Sequence, residues 1–190
     1  DINMVDIDFL NMPDRDIGEL QVLFSPEDIN KRIQELAEMI DEEFPQDEPL
    51  YVICVLKGAI LFCCDLIKQM KTPVQLEFIK VSSYGNEFKS TGDVTVIDSK
   101  IPNLNDQNVL IVDDICDTGH TAKKLVDLFT NDYQVKKLKF ATLMNKKCNR
   151  VVDVDPDFYG FEIDDKFLVG YGLDYIGFYR NLPFVGWFPQ

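Results

Sequence analysis

The stretch from Val109 to Thr121, Val-Leu-Ile-Val-Asp-Asp-Ile-Cys-Asp-Thr-Gly-His-Thr, concentrates most of the chemistry in this chain. An apolar run ends in two carboxylates, Asp113 and Asp114, and a third, Asp117, follows before a Thr118-Gly119-His120-Thr121 turn that opens a helical pattern. Beyond the carboxyl end of a strand is where open α/β sheets bind ligands. Here that place offers two opposite functions side by side. Backbone N–H groups at a helix N-terminus favour an anion, Gly119 lets the backbone approach closely or take positive φ, and Thr118 and Thr121 add hydroxyl donors. Asp113 and Asp114 repel phosphate. They suit the hydroxyls of a sugar diol or a hard cation. A ribose 5-phosphate satisfies both halves. An acidic strand end followed by a helix cap would account for one threonine, but not for three acids and the whole turn.

Other residues carry weaker signals on their own. Lys57 and Gly58 form a second strand-to-helix turn, where a lysine can steady a pyrophosphate and a glycine admits close backbone approach. Residues 82–93 are polar and glycine-bearing, with Tyr84 among them, as in a lid or a plain hairpin loop. Lys146 follows an apolar strand pattern and alone reads as a surface lysine. Phe167 offers a flat face to a heterocycle, although an isolated Phe usually belongs to a core. Arg180 has the planar fork that suits phosphate oxygens. His120, the only histidine, is expected to face solvent in the first turn of its helix and is given no role.

The elements that would position these groups alternate. Ser25-Pro26-Glu27-Asp28 reads as an N-cap, a proline at the first helical position and acids at the positive end of the dipole. Ile29, Ile33, Leu36, Ala37, Ile40 and Phe44 follow at helical spacing until Pro45. Leu50 to Leu56 is a strand buried on both faces, and Ala59 to Met70 a helix. Val74 to Val81, Val94 to Ile97, Val109 to Val112 and Leu138 to Met144 are further strands, with a helix from Thr121 to Phe129. The tail, Phe158 to Phe188, is dense in aromatics and glycine. This alternation predicts an α/β fold with a mainly parallel sheet.

From about Phe24 to Leu182 the chain resembles the type I phosphoribosyltransferases, and among them the hypoxanthine and hypoxanthine-guanine enzymes. The likeness rests on the Asp113–Thr121 run, the Leu56-Lys57-Gly58 turn, the Ser82-Ser83-Tyr84-Gly85 loop and the segment from Phe161 to Tyr175. It implies a twisted, mainly parallel sheet flanked by helices, a mobile lid loop, and a single domain. The core would span about 24–155 and a small hood about 1–23 plus 156–190. It implies that Asp113 and Asp114 face the ribose hydroxyls, Asp113 standing where the family most often has Glu. Asp117 would be the general acid/base near purine N7, and Thr118, Gly119 and Thr121 would hold the 5-phosphate. Lys57, Gly58, Ser83, Tyr84 and Arg180 would meet pyrophosphate, and the Lys57 turn often contains a non-proline cis peptide in this family. Lys146 would donate to purine O6; counting back from Pro156-Asp157-Phe158 favours it over Lys147. Phe167 would stack on the base, and Leu168 would offer its backbone to the base edge. Asp174 would hold a magnesium ion on the pyrophosphate side, with Asp113 and Asp114 as ligands for a ribose-side magnesium. The reaction implied joins phosphoribosyl pyrophosphate to N9 of hypoxanthine, or guanine, giving IMP or GMP. Homodimers or homotetramers are implied by the same likeness.

Bulk properties bound the alternatives. The chain has 190 residues, 46% of them hydrophobic, and a formal net charge of −14. Such a surface disfavours nucleic acid and anionic membrane as partners, which counts against a nucleic-acid-binding regulator built on the same site. A phosphoreceiver domain also ends a strand in paired aspartates, but on its first strand and without a Thr-Gly-x-Thr turn. Five cysteines without metal-type spacing read as free thiols in a reducing compartment. The opening Asp1-Ile2-Asn3 is not a signal-peptide pattern and no apolar run reaches membrane-spanning length, so a cytoplasmic enzyme is expected.

Overall fold

The computed structural model describes residues 19–83, 94–98 and 100–189. Among them are nine strands and three α-helices: β1 (Gln21–Phe24), α1 (Pro26–Glu43), β2 (Leu50–Leu56), α2 (Ile60–Gln69), β3 (Val74–Ser83), β4 (Val94–Asp98), β5 (Asn108–Cys116), α3 (His120–Asp127), β6 (Lys137–Asn145), β7 (Phe158–Glu162), β8 (Leu168–Val169) and β9 (Val185–Trp187). Tyr84 and the remainder of the expected lid, 84–93, lie outside the described residues, as do residues 1–18 of the expected hood segment 1–23.

The start of α1 is set locally. The Ser25 side chain accepts from Asp28 N–H at 3.1 Å, and Asp28 Oδ2 accepts from Ser25 N–H at 3.1 Å, a reciprocal capping box. Ile29, Ile33, Leu36, Ala37 and Ile40 form its buried stripe. The central sheet has the order β4-β3-β2-β5-β6-β7 and is parallel except for β4. β2 and β5 sit in its middle, buried on both faces, which is why their sequences run apolar without alternation. α1 and α2 cover one face together with Leu36, Phe62 and Leu66, while Leu125 and Phe129 pack on the other with Ile53, Ile111 and Phe140. A second, three-stranded antiparallel sheet, β1-β9-β8, joins the N-terminal strand to the tail.

Three details depart from the sequence reading. β5 does not stop at Val112 but runs through both carboxylates to Cys116, because β6 continues beside it and pairs Asp113 with Thr142, Ile115 with Met144 and Cys116 with Asn145. The helix after it is α-helical only to Asp127, and Leu128–Asp132 form a π turn closed by Tyr133 N–H on Leu128 O at 3.2 Å. β7 lies beyond the expected core boundary at 155, yet it pairs parallel with β6, Ala141 opposite Phe158, and belongs to the main sheet. Arg32 of α1 secures it, donating to Gly160 O at 2.8 Å and Tyr159 O at 2.9 Å.

Candidate active site

At the carboxyl end of β5 a cavity of about 450 Å³ opens. Its walls bring together Asp113, Asp114, Asp117, Thr118, Gly119 and Thr121 from the β5–α3 connection, Gly58 from the β2–α2 turn, and Asp174 and Arg180 from the tail. Segments far apart in the chain therefore converge on one space. Lys57, Lys146, Phe167 and Leu168 are not among its walls.

The β5–α3 turn has the geometry its residue types suggest. Gly119 adopts φ 95° at the N-cap of α3, and no side-chain cap bond closes that end among the described residues. The first N–H groups of the helix are thus free to bind an anion. Asp117 Oδ1 is buried and has no hydrogen-bond partner among the described residues. A buried carboxylate oxygen without a donor marks a place where an incoming N–H or O–H completes the arrangement. His120 is half-buried rather than solvent-facing, because α3 begins at this residue and lies against the sheet.

Asp113 is 6% exposed. Burial, and then the neighbouring Asp114 charge, push its carboxyl well above the usual range. Asp114 is also raised by burial, against the lowering influence of its bond with Asp113. Each carboxylate accepts from the next main-chain N–H, Asp114 N at 2.8 Å and Ile115 N at 2.7 Å, which fixes its direction at the strand end.

Around the β2–α2 turn the packing is close. The Leu56–Lys57 peptide is cis. A Cβ at Gly58 would lie 1.8 Å from Asp114 Oδ2, and one at Gly172 would lie 2.1 Å from Gly58 O. Lys57 itself is exposed. Arg180 donates to Gly172 O at 2.6 Å and pairs with Asp174 at 3.2 Å, while Asp174 Oδ2 accepts from Gly177 N–H at 2.8 Å. Ser83 ends β3, paired with Val94 of β4.

Past the end of β6, Lys146 is 8% exposed and Lys147 is exposed. Lys146 N–H donates to Cys116 O at 2.9 Å, so the lysine is tied directly to the end of β5. Its ammonium lies 3.5 Å from Asp165, which also accepts from Asn149 at 3.1 Å. Phe167 is 51% exposed and meets Tyr175 edge-on at 5.7 Å. Leu168, next to it, is buried in β8.

Arg150 was not singled out by the sequence. It is isolated in a loop, and its partners Cys116 and Asp117 are 34 and 33 positions away. Asp165 and Asn145 were likewise without a local pattern.

Among the described residues no helix is long and apolar enough to cross a membrane. The model of the phosphoribosyl transferase domain family matches residues 24–176. The hypoxanthine-guanine phosphoribosyltransferase of Bacillus subtilis is 43% identical over 166 residues, covering 87% of this chain and 91% of its own length. That of Aquifex aeolicus is 42% identical, covering 88% and 93%. A crystal structure of a hypoxanthine-guanine phosphoribosyltransferase from Bacillus anthracis superposes with a TM-score of 0.83 at 41% identity, covering 88% of this chain and 97% of that one.

Proposed function

Because the chain belongs to the phosphoribosyl transferase domain family, we propose that the cavity beyond β5 is where it transfers a 5-phosphoribosyl group to an oxopurine. The chain is a purine-salvage enzyme, a glycosyltransferase that makes IMP from hypoxanthine and GMP from guanine, releasing pyrophosphate. One observation supports the placement most: Asp113, Asp114 and Asp117 and the N-terminus of α3 line a single space, and Asp117 Oδ1 is buried with no partner among the described residues.

In this reading the 5-phosphate rests on Thr118, Gly119, Thr121 and the first amides of α3, and the ribose hydroxyls face Asp113 and Asp114. The bond from C1 of the ribose to pyrophosphate breaks as purine N9 bonds to C1. Such a transfer has an oxocarbenium-like transition state, and the Asp117 side chain nearby favours positive charge on the sugar. Asp117 also manages the N7 proton as N9 attacks. Lys57, Gly58, Ser83, Tyr84 and Arg180 receive the leaving pyrophosphate. Lys146 donates to O6 of the base, Phe167 stacks on it, and the Leu168 backbone meets its edge. An adenine amino group would leave the buried lysine facing another donor, a mismatch costing about 1–3 kcal/mol.

Magnesium fits this donor set as a shared ligand. No group of three or more metal-ligating side chains occurs among the described residues, and Mg²⁺ characteristically takes one or two carboxylates with substrate phosphates and water. Asp174, and on the ribose side Asp113 and Asp114, are the carboxylates proposed to hold it. When bound, the ion neutralises the leaving pyrophosphate. The five free cysteines fit a cytoplasmic setting, and a homodimer or homotetramer is proposed by analogy with relatives, with sedimentation analysis as its check.

The testing experiment is a base panel with phosphoribosyl pyrophosphate and magnesium, read as nucleotide monophosphate. Hypoxanthine and guanine should yield product and adenine should not. Absence of product with every oxopurine would overturn the reading.

A further inference from the structure

The loop after β6 does more than present Lys146. Arg150, with its side chain 10% exposed, donates Nε to Asp117 O at 3.0 Å and Nη2 to Cys116 O at 3.2 Å. Nη2 also meets Asn145 Oδ1 at 2.5 Å, and Nη1 meets Val154 O and Asp155 Oδ1, both at 2.6 Å. The next two main-chain N–H groups, of Val151 and Val152, both donate to Thr118 O, at 2.9 and 3.2 Å. Three consecutive carbonyls of the β5–α3 turn are therefore held by one short segment. The arginine stem also lies flush on the turn, since a Cβ at Gly119 would come within 2.8 Å of Arg150 Cδ and 2.9 Å of Val154 Cγ1.

A trans peptide unit is planar, with its C=O and N–H pointing opposite ways. Carbonyls of 116 and 117 turned toward the Arg150 guanidinium, and that of 118 toward the Val151 and Val152 N–H groups, thus turn the N–H groups of Asp117, Thr118 and Gly119 the other way, and these three residues line the cavity. We infer that Arg150 is a positioning residue of the transfer reaction: it sets the peptide planes of the turn so that their amides face the ribose 5-phosphate, without touching the substrate. A lysine cannot replace it, because a single ammonium cannot span carbonyls, an amide oxygen and a carboxylate arranged around a planar fork.

The inference rests on the cavity being the ribose 5-phosphate site, and the test separates the two. Arg150→Lys and Arg150→Met are compared with the parent by calorimetric titration with ribose 5-phosphate and, separately, with magnesium pyrophosphate, whose proposed contacts lie on other loops. Ribose 5-phosphate affinity should fall about tenfold or more, as expected for losing two or more hydrogen bonds, with pyrophosphate affinity within about twofold. In steady-state assays the loss should appear in KM for the donor more than in KM for the base. Equal loss of both ligands, or loss of neither, overturns the positioning role. If the parent itself fails to bind ribose 5-phosphate, the site reading falls, and this inference with it. Should both Arg150 variants fail to fold, Asn145→Ser, which removes one acceptor that aims the guanidinium, carries the test. It should show the same selective loss at about threefold, as for one neutral hydrogen bond, and an unselective loss or none overturns the proposal.

Discussion

Asp117 combines a buried oxygen that has no partner among the described residues with a main-chain carbonyl gripped by Arg150. Asp117→Ala should lower kcat about 10²–10⁴-fold, the range of a lost general acid/base, and steady-state kinetics with hypoxanthine measure it. Lys146 and Lys147 are neighbours with opposite fates, one buried and one exposed. Lys146→Gln should raise the rate with adenine relative to hypoxanthine, whereas Lys147→Gln should leave the ratio within about twofold, as surface changes usually do. The thiols divide in the same way. A hydrogen bond with Cys54, and then burial, push Cys63 up, while burial pushes Cys116 up to about 11. Raised values leave little thiolate on Cys63 and Cys116 at pH 8, and Cys54 is buried, so iodoacetamide followed by mass spectrometry should label exposed Cys148 first and reach these three only on unfolding. The aspartates and the Thr-Gly-x-Thr turn were legible in sequence because their chemistry is written within nine residues, from Asp113 to Thr121. Arg150 was not, because its meaning lies in carbonyls that only the fold brings near.

At the scale of elements, local signals fixed starts better than ends. Ser25, Pro26 and Asp28 specify the beginning of α1 by their own hydrogen bonds. Ser25→Ala removes half of that box and should cost about 1 kcal/mol, within the 0.5–2 range of cap replacements, measurable by urea denaturation. The end of β5 carried no such signal. Aspartate is rare in strands, so Val112 reads as the last strand residue; the pairing that carries β5 to Cys116 comes from β6, nearly thirty residues later. The same limit explains β7, whose membership in the main sheet depends on its register with β6 rather than on its own sequence.

For the whole molecule, the net charge of −14 opposes an anionic donor until it is close. Raising ionic strength shortens the Debye length from about 30 Å at 0.01 M to about 8 Å at 0.15 M. At constant free magnesium, KM for phosphoribosyl pyrophosphate should therefore fall as salt rises over that range, a trend opposite to that of enzymes with a basic field. Tyr171, just after β8, bonds through its hydroxyl to Asp65 of α2, so the tail that supplies Asp174 and Arg180 is anchored to the core. Where that tail meets the β2–α2 turn, Gly172 faces Gly58 with no side chain between them, and Gly58 in turn faces Asp114. Only a hydrogen fits at either glycine, since a Cβ would collide with the Asp114 carboxylate at Gly58 and with the Gly58 carbonyl at Gly172. The β2–α2 turn and the tail are thus locked together by contact, and an alanine at Gly58 or Gly172 should displace Asp114 or the neighbouring main chain before it changes anything else.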